Sequence, residues 1–176
     1  IDTSEPGLRF EDNTFDFVHI QFLCSAIPAD KWPALIKEVA RVCKPGGTFE
    51  ITEISALMRN TGPLGDEVNS WYDGIGRARS VEYDRVWDIP NMIQDAGLAV
   101  ETDYYCEFPL GEGHKEFGRE GWANLFSLTR SLSPRFIATS NVTQERIDEV
   151  LVQLHDEIIE YRSYWKMGFF VGSKPC

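Results

Sequence analysis

The stretch from Phe15 to Glu53 constrains this chain most, because it reads as a strand, a helix, a glycine turn and a second strand in unbroken succession. Phe15 to Ile20 is apolar apart from Asp16 and His19 and has the Phe/Val/Ile bias of a strand covered on both faces, which predicts a central strand. Asp30 is a suitable N-cap. From Trp32 onward, Leu35, Ile36, Val39, Ala40 and Cys43 recur at helical spacing, while Lys37, Glu38 and Arg41 fall on the opposite, wet face. Pro45-Gly46-Gly47 stops the helix, since proline cannot continue it and glycine accepts the left-handed conformation of a reversal. Thr48 to Ile54 then predicts the second strand. A strand, helix and strand joined this tightly form a right-handed crossover, so the strands run parallel.

Two runs within this stretch, LRFEDNTFDFVHIQFL and IKEVARVCKPGGTFEITE, carry Phe10, Asp12, Asn13, Phe15 and Asp16, then Glu38, Arg41, Val42, Lys44, Pro45, Gly46 and Gly47. In order and spacing they resemble the middle of a class I S-adenosylmethionine-dependent methyltransferase. The FDFVH strand, the PLGEGHKEFGREGW segment and the tail YRSYWKMGFFVGSKP are further similar to the fungal secondary-metabolism, LaeA-type branch. The resemblance implies an α/β, Rossmann-like sheet with a helical lid insertion, S-adenosylmethionine as cofactor and a small metabolite as methyl acceptor. It places Asp2 and Thr3 at the adenine ring, and Ile20 and Gln21 beside the adenosine and the methionine arm. His19, at the carboxyl end of the first strand, and His114, the titratable group of the lid segment, are candidate bases by position and residue type. Asp2 also reads as an ordinary loop acid, His19 as a half-buried histidine bonded to a loop carbonyl, and His114 as a solvent-facing loop residue. Glu53, at the carboxyl end of the second strand, shares the location of His19.

A nucleotide cofactor in this fold rests on a glycine-rich turn after the first strand and on an acid at the end of the second. Neither is found ahead of Phe15. Gly74-Ile75-Gly76 and Gly111-Glu112-Gly113 do not lead from a strand into a helix, and a lone pair of glycines is weak evidence. Residues 1–176 are therefore expected to be a single methyltransferase-like domain lacking its N-terminal cofactor-binding half, with little or no methyl transfer of its own. A non-catalytic regulatory or interaction protein, or the same fold used for a cyclisation, is the alternative reading.

Composition narrows the partners. A formal charge of −11 argues against nucleic acid, whose phosphates need an excess of lysine and arginine. No run approaches the length of a transmembrane helix and no signal peptide is recognisable, while the widely spaced cysteines, read as reduced thiols, give the expectation of a cytoplasmic or nuclear location. Cys24, Cys43, Cys106 and Cys176 lack zinc-site spacing, so they read as reduced thiols and no metal is expected. An exposed sheet edge would take a second copy of the chain or another protein.

Downstream, Val68, Trp71, Tyr72 and Ile75 predict a helix from Asp66 to about Arg79. Asp88 can cap a short helix from Pro90 to Gly97, followed by a strand from Ala99 to Phe108. Trp122, Leu125, Phe126, Thr129 and Leu132 predict a lid helix that Pro134 bends or ends. Trp71, Tyr72, Tyr83, Trp87, Tyr104, Phe117 and Trp122 come from segments suited to cover a pocket, with core packing as the more common use of such rings. Thr143 caps a helix from Gln144 to Tyr161 whose stripe of Ile147, Val150, Leu151, Leu154 and Ile158 is expected to pack on the sheet. Trp165 to Ser173 predicts a last strand, which the resemblance implies is inserted antiparallel between the two before it.

Overall fold

Strand β1 (Phe15–Gln21) lies parallel to β2 (Cys43–Arg59), with Ile20 opposite Ile51, and helix α1 (Trp32–Val42) makes the crossover. The computed structural model describes residues 7–112 and 117–176. After β2 come α2 (Pro63–Arg79), α3 (Ile89–Asp95), β3 (Ala99–Pro109), α4 (Gly118–Ser140), α5 (Gln144–Tyr161) and β4 (Tyr164–Ser173). The four strands are ordered β1-β2-β4-β3, and β4 runs antiparallel to both its neighbours, as the resemblance implies.

The helix stripe of α1 buries Trp32, Leu35, Ile36, Val39 and Val42 against one face of the sheet, where Ile20, Phe49, Ile51 and Phe170 meet them together with Ile89 and Ile93 of α3. Asp30 does not cap α1. It sits in a short 3-10 turn, Ala29–Lys31, and Lys31 takes the cap position without a side-chain bond. Asp88 likewise precedes α3 without capping it. Val18 and Ile20 face this core, whereas Phe17, His19 and Gln21 point outward, with Phe17 54% exposed. Among the described residues β1 is thus an edge strand and not the central one expected from its composition.

The residues of the recurring motif close the amino end of the sheet. The Arg41 guanidinium donates to both Glu38 oxygens (2.8 Å each), to Asp12 Oδ1 (2.8 Å) and to the carbonyls of Phe10 (2.8 Å) and Leu8 (3.0 Å). Lys44 Nζ bonds both Asp16 oxygens, and Lys174 Nζ ties Asn13 to the carbonyls of Ala40 and Cys43. Gly46, at φ +74°, makes the reversal after α1, and its N–H donates to the Lys174 carbonyl. The turn is thereby stitched to the end of β4, so β2 begins at Cys43, five residues before the strand expected from Thr48.

A second core gathers at the carboxyl ends of β1 and β2. Here α2, α4 and α5 pack on one another through Val68, Trp71, Tyr72, Leu125, Phe136, Ile147, Leu151 and Ile158, over Met58 and Trp165. The stripe of α5 therefore meets α2 and α4 rather than lying on the sheet as expected. Pro134 does not end α4, which continues to Ser140, because the proline sits on the exposed side, where water can reach the helix backbone. The Glu157 carboxylate of α5 accepts the N–H groups of Leu64 (3.0 Å) and Gly65 (2.7 Å), satisfying donors that the first turn of α2 leaves open.

Candidate functional site

A cavity of about 360 Å³ lies between the carboxyl ends of the strands and the helical layer. Its floor is Ile54 and Ala56 of β2 with Met167 and Trp165 of β4, its roof is α2 and α4, and its near wall is the loop after β1, where Phe22, Cys24 and Ser25 sit. Open parallel strands bind ligands at this end because the loops there are free to vary while the strand ends stay fixed.

The loop after β1 is held by Glu53. This fully buried carboxylate accepts the Leu23 N–H at 2.6 Å and the Cys24 N–H at 3.0 Å. Burial raises its pKa to about 7 against the two amide bonds that favour the anion. The Cys24 thiol is pushed up to about 12, by burial first and by the Glu53 charge second, so it is no nucleophile at neutral pH. Phe22 takes the left-handed conformation at φ +53°, and its N–H donates to the Thr52 carbonyl at 3.0 Å, which carries the chain off the strand and leaves the ring 45% exposed.

On the roof, the Tyr72 hydroxyl bonds Thr129 Oγ1 at 3.2 Å, and its ring meets Tyr83 edge-on with centroids 6.2 Å apart. Burial pushes both phenols up, so neither takes a proton near neutral pH. Tyr83 is positioned through its neighbour Asp84, which accepts from the Ser55 hydroxyl and from Arg59 Nη2 at 2.5 Å. Arg79 at the end of α2 donates to the Ser25 carbonyl at 2.9 Å, and Arg135 of α4 completes the rim.

Of the residues singled out in the sequence, Gln21 is exposed at the carboxyl end of β1, next to Phe22. Ile20 is 8% exposed and turns its side chain into the α1 core. His19 lies on the outward face of β1, with Nδ1 3.3 Å from Glu50 Oε1 and its ring stacked on Phe17, and it does not line the cavity. Asp2, Thr3 and His114 lie outside the described residues. Tyr72 and Tyr83 reach the cavity, Trp71 is core, and Trp87, Tyr104 and Phe117 are exposed. Phe22, Arg79, Arg135 and Trp165 carry no signal as site residues in the sequence, because only tertiary packing brings them together. Gly74 is pressed against Ser140, Gly76 against Val81 and Gly111 against α5, so these glycines serve packing and cradle no phosphate.

Residues 2–47 match the family described as "Methyltransferase domain". Phosphatidylethanolamine N-methyltransferase of Cereibacter sphaeroides is 40% identical over 57 residues, which is 32% of this chain and 26% of that protein. Among solved structures, phosphoethanolamine N-methyltransferase 2 of Haemonchus contortus, in complex with phosphomonomethylethanolamine and S-adenosylhomocysteine, superposes with a TM-score of 0.52 at 17% identity, over 96% of this chain and 35% of that one. The same protein with S-adenosyl-L-methionine gives 0.51 at 18% identity, again over 96% and 35%. This chain therefore spans 26% of the curated relative and 35% of the solved one. The fold it shares with them is the Rossmann-like α/β fold of class I methyltransferases.

Proposed function

We propose that this chain belongs to an S-adenosylmethionine-dependent methyltransferase whose small-molecule acceptor sits in the cavity under α2 and α4. The observation that carries the reading is the place of the cavity: it opens at the carboxyl ends of β1 and β2, in a sheet whose last strand is inserted antiparallel. The carboxyl end of β1 fits an adenosine on one side, since Gln21 offers a side-chain amide and Phe22 a flat, exposed ring. Asp2 and Thr3 would bind the adenine ring from the preceding loop. Phe22 belongs both to this edge and to the cavity wall, so donor and acceptor would meet across it.

The sulfonium cofactor supplies a methyl carbon that is already activated toward displacement. The chain's own residues then have to hold the acceptor in line and keep water out, which is where most of the rate of such a transfer arises. The cavity suits this division. Its described lining holds no group that titrates near neutral pH, with Cys24, Tyr72 and Tyr83 all pushed above their ordinary values. Tyr72, Ile75, Leu128, Leu132, Trp165 and Met167 give it an apolar body, which suits the small metabolite implied by the resemblance to the secondary-metabolism branch. His114 would act as base from the lid segment for an acceptor that enters protonated; His19, on the outward face of β1, does not line the cavity. The outer edge of β1 would receive a second copy of the chain or another protein.

The test is calorimetric titration of the full-length protein with S-adenosylhomocysteine, repeated with Gln21→Ala. Binding weakened by about tenfold in the variant is expected if the amide makes one hydrogen bond to the nucleoside. No heat with the unaltered protein at millimolar ligand refutes the reading.

A further inference from the structure

We propose that the cavity selects an acceptor with an apolar body and an anionic head, a carboxylate in the simplest case, and that Arg79 and Arg135 hold the head at the rim. This rests on the acceptor site assigned above and names the chemistry it takes.

Charge is the first argument. The chain carries 28 acidic and 17 basic residues, yet the charged side chains lining the cavity are Arg79 and Arg135, with no carboxylate among the lining residues described. Five of the other nine arginines have acidic partners among the described residues: Arg41 has Glu38 and Asp12, Arg59 has Asp84, Arg85 has Glu82 and Asp88, Arg119 has Glu112, and Arg146 has Glu67 and Glu149. Neither Arg79 nor Arg135 is paired with a carboxylate among the described residues. Arg79 is instead oriented by the Ser25 carbonyl toward the loop that forms the cavity's near wall.

Position is the second. The two arginines come from different helices and converge near Tyr83, whose phenol is raised by burial first and also by the Asp73 charge, and drawn back by the charges of Arg79 and Arg135. Both are exposed, so they stand at the rim, while Ile75, Leu132, Trp165 and Met167 lie deeper. A ligand with its charge at one end and an apolar body at the other matches this order of groups. Asn124, also at the rim, adds a side-chain donor. An ammonium-bearing acceptor would meet two like charges with no carboxylate among the described lining residues.

Proton balance is the third. An acceptor that enters ionised needs no proton removed before it reacts, and the described lining residues include no side chain suited to removing one. Among the described lining residues, the lack of a base together with two cations that have no carboxylate partner is what favours an acid over an alcohol of the same shape.

The experiment uses 2-naphthoate, 2-naphthylmethanol and 2-naphthylmethylammonium, three probes that share a body and differ in head charge. Their affinities are measured by calorimetry on the full chain at low and high salt. The expected result is naphthoate about 10- to 100-fold tighter than the alcohol, as charge-assisted hydrogen bonds give, with the ammonium weakest and the gap narrowing at high salt. Arg135→Gln and Arg79→Gln should each reduce the gap and the double variant abolish it, with circular dichroism confirming that each variant folds. Equal binding of acid and alcohol, tighter binding of the ammonium, no binding of any probe at millimolar concentration, or a preference that survives in the double variant overturns the proposal. These outcomes are separate from cofactor binding. A naphthoate preference without S-adenosylhomocysteine binding would sink the methyltransferase reading and leave the anion site standing. Cofactor binding without the preference would do the reverse.

Discussion

Glu53 is a carboxylate with no cation beside it among the described residues, kept in place by two backbone N–H groups and fully buried. Its folded pKa of about 7 lies above the ordinary 4.5, so between those values the folded chain holds a proton that the unfolded chain has released. Stability from this group is therefore fully present below 4.5 and is lost as pH rises through about 7. Glu38 has the opposite sign, since Arg41 holds its carboxyl low and its contribution is lost only as pH falls. Urea midpoints measured from pH 5 to 7.5 should decline, and Glu53→Gln should flatten the decline while costing roughly 1–3 kcal/mol at pH 5 through the amide partner it cannot replace. A slope unchanged by the substitution would show that Glu53 does not carry it. Residues differ sharply in how far the sequence exposes their role. Glu38, Arg41, Asp12 and Asp16 stand in a motif with fixed spacing, and their work is local, between α1 and the loop ahead of β1. Arg79 and Arg135 look like ordinary polar residues of two separate helices, and nothing in either helix says that the other will face it across a cavity.

At the scale of elements, the cavity depends on how closely α4 approaches the end of β3. Gly118 and Gly121 lie one turn apart on the side of α4 that crosses Pro109 to Gly111, and a Cβ on Gly121 would collide with the Pro109 carbonyl oxygen, a backbone atom that cannot step aside. Gly121→Ala is expected to lift the first turns of α4, to destabilise by about 1–3 kcal/mol as overpacking does, and to weaken naphthoate binding several-fold. An unchanged urea midpoint with unchanged binding would place the pivot of α4 elsewhere. The same scale separates what sequence patterns can and cannot reveal. α5 occurs over Gln144–Tyr161 as its period and the Thr143 cap predict, because a helix with a capping residue and an apolar stripe is specified by its own residues. Where the stripe docks is not so specified, and it meets two helices instead of the sheet. β2 is longer at both ends than its composition suggests, because its neighbour β4 extends the ladder to Arg59 opposite Tyr164 and the turn at Gly46 is stitched to Lys174. The antiparallel insertion of β4 was expected only through the resemblance, since strand order depends on partners far apart in sequence.

At the scale of the whole molecule, two tendencies oppose each other. The outward face of β1 presents Phe17, with Phe10 beside the strand 51% exposed, and the strand's outer edge has no ladder partner among the described residues. Unpaired amides next to apolar rings are a template for a second strand. Against this stands the net charge of −11, which makes two copies repel and which the ion pairs at the amino end of the sheet neutralise only locally. Salt screens the long-range repulsion, with a Debye length falling from about 30 Å at 0.01 M to about 3 Å at 1 M, and leaves apolar burial and strand pairing intact. Self-association of this chain should therefore increase with salt, the reverse of what an interface built on ion pairs would do. Light scattering across that salt range should show the mean mass rising from the monomer value. Phe17→Lys, which charges the face without touching either core, should suppress the rise while leaving the unfolding free energy within about 0.5 kcal/mol of the parent. A monomer at every salt concentration would mean that β1 holds no association surface. Association that falls with added salt would locate it on the charged surface instead.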